Sequence, residues 1–252
     1  MQVVALHGFA NTEAQWDAVA AALPASIRLR TVALPGHVNG APVGPNWNAT
    51  VEQLAHMINP PGQPPAGLVI GYSLGARLTL GLIAAGHVEQ AVLVSVNPGL
   101  QLDAERAARR IVDAEWATLL LTQGIAVFAR AWQAQALFDS QQRVSAELRS
   151  ARATQRLRHD PTQLADALRC LGLAAMPDYR AVIAAHQHRI HLVVGALDSK
   201  FVAIAQQLTS AHPDIACTEI PGCGHDPTLE SPTVLAQQVA SIASKIDGRH
   251  KN

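Results

Sequence analysis

Cysteine is scarce. Cys170, Cys217 and Cys223 are an odd number at spacings that suit neither a disulfide framework nor a metal site. A reduced, cytoplasmic chain without a metal is the expectation. Net charge is also lacking, with 19 Lys plus Arg against 19 Asp plus Glu. No overall field is left to attract nucleic acid or an anionic membrane surface. Apolar residues make up 49% of the chain, yet no unbroken apolar run reaches the roughly 18 residues of a membrane span, so no spanning helix is expected. The opening MQVVALHGF has no basic stretch and no small-residue cleavage site. It reads as a strand rather than a secretion signal. Internal repeats and low-complexity tails are missing too, and the closing GRHKN is expected to fray.

What is present is an alternation. Short apolar runs at 2–6, 27–34, 67–71, 90–96, 189–195 and 215–220 read as buried strands. Amphipathic segments at 14–23, 50–58 and 74–86 separate the first of them. Strand, helix, strand, helix implies parallel strands joined by right-handed crossovers, with helices on both faces. Proline and glycine clusters at 40–46 and 59–67 mark loops. The alternation stops between about 99 and 185. That block is rich in arginine and reads as helices at 103–121, 124–136, 140–157, 161–173 and 177–186. Open parallel sheets bind ligands at the C-terminal ends of their strands, so an inserted helical block there reads as a cap. Residues 1–98 and 187–252 form the expected core, and 99–186 the cap. The oligomeric state is left open.

Within LVIGYSLGAR, Gly71-Tyr72-Ser73-Leu74-Gly75 fits G-x-S-x-G between a strand and a helical run, which is the setting of a nucleophile elbow. A plain helix N-cap serine is the alternative. A serine hydroxyl is inert until a histidine takes its proton and an acid orients that histidine. In the elbow arrangement the acid and then the histidine follow the serine along the chain. Asp198 in GALDSKF follows one strand, and His225 in PGCGHD follows the next. The loop after the first strand carries His7-Gly8-Phe9. The Phe9 and Leu74 N–H groups are the expected oxyanion donors, and His7 is expected to brace that loop rather than react.

These segments, together with LHGF, LPGH, NPGLQ, AVFARAW and LGLAAMPDYR, resemble the α/β-hydrolase superfamily. Within it they resemble the family of 2-succinyl-6-hydroxy-2,4-cyclohexadiene-1-carboxylate synthases, over nearly the whole chain. The resemblance implies an α/β-hydrolase fold, with a mostly parallel doubly wound sheet that lacks the usual first strands and carries a helical cap. It implies elimination of pyruvate from a cyclohexene with three carboxylates, Ser73 acting as base, and no cofactor. It also implies that Tyr72, Arg77, Arg109, Trp132, Arg149 and Lys200 contact the small carboxylate substrate. Departures lie at Val38, Ala76, Thr228 and in the segment Trp132-Gln133-Ala134-Gln135-Ala136. Two other functions stay open on the residues alone. One is a carboxylesterase or thioesterase using the same triad as nucleophile, and the other is a non-catalytic receptor on the same fold.

Overall fold

The six apolar runs become one parallel sheet. In the computed structural model, which describes residues 1–60, 62 and 66–249, the strands are β1 (Gln2–Leu6), β2 (Arg28–Val32), β3 (Val69–Tyr72), β4 (Ala91–Val94), β5 (Ile190–Gly195) and β6 (Ala216–Ile220). Their spatial order is β2-β1-β3-β4-β5-β6, and every neighbouring pair is parallel. Before the inserted block come α1 (Asp17–Ala22), α2 (Trp47–Ile58) and α3 (Leu74–Ala84). Within it lie α4 (Asp103–Gln133), α5 (Ala146–Arg156), α6 (Pro161–Leu171) and α7 (Arg180–Ala185). After it follow α8 (Ser199–Ala211), α9 (Pro227–Glu230) and α10 (Pro232–Arg249). Residues 250–252 of GRHKN, and 61 and 63–65 of the 59–67 loop, lie outside the described residues.

Successive side chains of a strand leave opposite faces of the sheet. Leu6, Val69, Leu93 and Leu192 pack with Leu54 of α2, Leu78 of α3 and Leu208 of α8. Ala5, Ile70, Val92 and Val193 pack on the other face with Trp16, Val19 of α1 and Val239 of α10. Burial on both faces is why the central strands read as continuous apolar runs rather than alternating ones.

Among the described residues, the block between β4 and β5 contains no strand. Its helices pack through Ala117, Leu120 and Phe128 of α4 against Leu164, Ala165 and Leu168 of α6, and reach the core at Ala10. The separate helices expected at 103–121 and 124–136 are one element bent at Gly124, whose φ of 75° no β-carbon residue adopts readily. By length and composition alone, α4 is apolar enough to cross a membrane, which the absence of an unbroken apolar run did not suggest. The bend at Gly124 divides it. The expected helix at 140–157 is a 3₁₀ segment, Ala136–Arg143, followed by α5. The break is made by Ser145, whose hydroxyl caps α5 by accepting the Leu148 N–H.

The strand order reverses between β1 and β3, the switch point at which open parallel sheets leave a crevice. The Phe9 loop follows β1 and Ser73 follows β3, so the two flank that crevice.

Candidate active site

Ser73 sits at the tip of a turn that the sequence forces to be tight. Its φ of 50° and ψ of −104° lie outside the regions open to ordinary L-residues, a cost that the surrounding structure sustains. A β-carbon at position 71 would stand 2.5 Å from the Ala76 nitrogen, and one at position 75 would collide with the carbonyl oxygen of Leu6. The two glycines of the motif are therefore steric necessities. The turn opens α3, so the Leu74 N–H has no acceptor within its own helix.

His225 and Asp198 reach the serine from the loops after β6 and β5. His225 Nδ1 lies 2.7 Å from Asp198 Oδ2, and its Nε2 lies 3.4 Å from Ser73 Oγ. The short contact assigns the proton to Nδ1, donating to the carboxylate, and leaves Nε2 facing the hydroxyl. The longer contact keeps the hydroxyl within reach of the imidazole at the loose end of hydrogen-bond range. Both side chains are nearly fully buried. Phe201 packs on the imidazole with ring centroids 4.5 Å apart. The backbone on either side of His225 is gripped as well: Glu230 accepts the N–H groups of Gly224 at 2.7 Å and Asp226 at 3.1 Å. Ser95 Oγ donates to the His225 carbonyl at 2.8 Å.

His7 braces its loop, as expected. Its Nε2 accepts the Leu34 N–H at 3.0 Å, so Nδ1 carries the proton and donates to the Gly8 carbonyl at 2.8 Å. Burial pushes its pKa down to about 3, and it is held neutral. Phe9, next in the loop, turns its ring toward Trp132 at 5.0 Å between centroids.

Ser73 and His225 open into an inner cavity of about 130 Å³ whose walls include Phe9, Arg77, Arg109 and Trp132. An outer hollow of about 770 Å³ shares Arg109, Lys200 and His225 with it. Arg77 donates to the Leu171 carbonyl at 2.9 Å and lies 5.9 Å from the Trp47 ring centre. Burial, and after it the nearby Arg109, pushes its pKa down to about 9, still charged at neutral pH. Arg109 donates through Nε to Asp113 Oδ1 at 2.8 Å, which leaves its terminal nitrogens for the cavity. Asp113 was not anticipated, although its i,i+4 spacing from Arg109 on a helix was a usable signal. Burial raises its carboxyl above the usual range, against the pull of Arg109. Lys200 stands exposed at the rim, 5.8 Å from the Phe201 ring centre.

Two expected contacts are corrected. Arg149 is exposed on α5 and borders a different hollow, with Gln142 and Ser150, because that face of the helix turns outward. Tyr72 has the same strand parity as Ile70 and joins the α1–α10 face, so it packs beside His225 at 5.5 Å rather than lining the cavity. Burial, reinforced by Asp226, pushes its phenol well above the ordinary range. Among the described residues, no cluster of three or more His, Cys, Asp or Glu is placed to hold a metal ion.

A capped parallel sheet with serine, acid and histidine in the loops after β3, β5 and β6 defines an α/β hydrolase. Residues 3–238 match the Alpha/beta hydrolase family. A 2-succinyl-6-hydroxy-2,4-cyclohexadiene-1-carboxylate synthase from Enterobacter sp. (strain 638) is 31% identical over 243 residues, 95% of this chain and 90% of that protein. The synthase of the same name from Salmonella arizonae is 30% identical over 242 residues, 95% and 92% of the two chains. The solved structure of MenH from S. aureus superposes with a TM-score of 0.91 at 25% identity, covering 98% of this chain and 94% of that one. The chain belongs to the α/β-hydrolase family and, within it, to the family of these synthases.

Proposed function

We propose that the chain eliminates pyruvate from 2-succinyl-5-enolpyruvyl-6-hydroxy-3-cyclohexene-1-carboxylate to give 2-succinyl-6-hydroxy-2,4-cyclohexadiene-1-carboxylate, with Ser73 as the base. One juxtaposition carries the reading: the Ser73–His225–Asp198 line opens into a small cavity that also presents Arg77 and Arg109. The names of its relatives support it.

In this reading Ser73 Oγ takes the ring proton next to the succinyl ketone while its own proton passes to His225 Nε2. Asp198 holds the resulting imidazolium through Nδ1–H. The electron pair left on carbon spreads to the ketone oxygen, and the N–H groups of Phe9 and Leu74 stabilise that charge. A pair of such donors serves an enolate as well as a tetrahedral intermediate, and losing one costs roughly 100- to 1000-fold in rate. Collapse of the dienolate breaks the bond to the enolpyruvyl oxygen. The proton stored on His225 returns to the departing enolate, which leaves as pyruvate. Arg77 and Arg109 clamp carboxylates, for which a planar guanidinium is suited. Trp132 walls the ring, and Lys200 adds positive charge at the mouth. Residues 1–98 and 187–252 act as the catalytic core, with 99–186 closing over it.

The test compares pyruvate release from the cyclohexene substrate with hydrolysis of aryl esters. Pyruvate release with slow ester turnover is expected. Fast ester hydrolysis without pyruvate would make the chain an esterase, and a Ser73 inert to fluorophosphonate would make it a receptor.

A further inference from the structure

Arg152, on α5 of the cap, reaches across to the core. One terminal nitrogen donates to Asp226 Oδ2 at 3.1 Å and to Asn11 Oδ1 at 3.4 Å, and the other to Thr228 Oγ1 at 3.5 Å. Only 11% of the Arg152 side chain and 4% of the Asp226 side chain are exposed. Asp226 is the neighbour of His225. Its other oxygen caps α9 at the Thr228 N–H, 3.1 Å, and accepts the Thr228 hydroxyl and, at 3.4 Å, Gln15 Nε2. Gln15 also donates to Thr228 Oγ1 at 3.0 Å, and its Oε1 accepts the Gly8 N–H at 2.9 Å. One buried network thus runs from the cap, through the residue beside His225, to the loop that carries Phe9.

Stability alone is a poor account of this arrangement, because removing two charges from water offsets most of their attraction. What the network supplies is a fixed relative position for three pieces of chain, which also meet in pairs where His159 reaches the Asn11 carbonyl and where Phe138 packs on the His225 ring. Within the core, His225 is held by Asp198, Glu230 and Ser95. From the cap, Arg152 adds a charged hold one residue further on, at Asp226.

We propose that Arg152, clasped to Asp226, is a positioning residue that couples the seating of the cap to the alignment of His225 and of the Phe9 loop. The proposal rests on Ser73 and His225 being the reacting pair, and not on which substrate they act upon.

Fluorophosphonate labelling of Ser73 in the full chain tests it, because the probe requires the aligned pair but not the native substrate. Arg152→Met and Asp226→Asn should each slow labelling and kcat by about tenfold or more, as expected for reacting groups displaced by a fraction of an ångström, with KM much less affected. The double variant should be no slower than the slower single one, since both changes break the same contact. Arg106→Met is the control. Arg106 ties the cap together through the carbonyls of Met176 at 2.7 Å and Leu100 at 2.6 Å, none of them a partner of Asp226. It should lower Tm and label at the wild-type rate. If Arg152→Met does not fold, Arg152→Lys and Gln15→Met replace it, with a smaller loss of the same kind expected. Labelling of Arg152→Met at the wild-type rate, or a loss equal to that of Arg106→Met at an equal fall in Tm, would overturn the proposal. So would a wild-type chain that does not label. A wild type that labels but releases no pyruvate would defeat the synthase reading and leave this result standing.

Discussion

Replacing Arg77 by Met should weaken substrate binding without weakening the fold. The guanidinium pKa is pushed down to about 9, chiefly by burial and then by Arg109. Burial with no carboxylate against it therefore disfavours the charge, by an amount on the order of a few kcal/mol at 1.36 kcal/mol per pH unit. One hydrogen bond, to the Leu171 carbonyl, offsets part of this. A bound carboxylate relieves the rest, which is why truncating one member of such a pair costs about 2–5 kcal/mol in affinity. Arg109 remains to hold part of the anion and the cavity adjoins a wide hollow, so the lower end applies. KM should rise about 30- to 100-fold at 1.4 kcal/mol per tenfold, while kcat changes by no more than about threefold. Tm should stay level or rise, because a desolvated cation has been removed. The pH profile supplies a second reading. The charged form binds, so KM of the wild type should climb as pH passes about 9, and KM of the variant should not. Initial rates of pyruvate release and a thermal melt measure both. A variant with wild-type KM, or one that loses several degrees of Tm with KM unchanged, would refute the reasoning.

Asp113→Asn keeps an acceptor for Arg109 Nε and should leave KM within about threefold, whereas Asp113→Ala frees Arg109 and should raise KM by about tenfold, read by the same assay. Gly75→Ala drives a β-carbon into the Leu6 carbonyl and should abolish fluorophosphonate labelling or prevent folding; a variant that melts and labels like the wild type would contradict the elbow geometry. His7 has a folded pKa of about 3 against 6.5 unfolded, so the unfolded chain binds the extra proton between those values. Its share of stability is therefore present above about 6.5 and is lost as pH falls toward 3, at about 1.4 kcal/mol per pH unit. His37 and His159, which are also depressed by burial, add to the same slope. Urea melts from pH 7 to 4 should show this loss, and His7→Gln should flatten it.

The strands were legible because a parallel sheet buried on both faces writes itself as continuous apolar runs, and all six fall within or against those runs. Ser73, Asp198 and His225 were legible because each follows a strand, so that topology alone brings them to one edge. The cap was less so. Arg149 and Arg152 are three residues apart on an arginine-rich helix, and only docking decides which of its faces turns inward. The resemblance pointed to Arg149, and it is Arg152 that the structure turns toward the core. Tyr72 was misjudged although strand parity with Ile70 already carried the signal. Gln15 carries no local pattern, because Asp226 and Thr228 lie far along the chain and its role exists only after folding. Glu230 grips Gly224 and Asp226 of its own segment, a short-range arrangement that the sequence reading passed over.

The central claim is that Ser73, made basic by His225 and Asp198, removes the proton whose loss expels pyruvate. Its most direct test is Ser73→Ala in steady-state pyruvate release, with substrate affinity measured separately by calorimetry. The account predicts a kcat lower by roughly three or more powers of ten, in the range seen when a member of such a catalytic set is removed, with affinity within about threefold. Pyruvate release by Ser73→Ala at a rate near that of the wild type would contradict it.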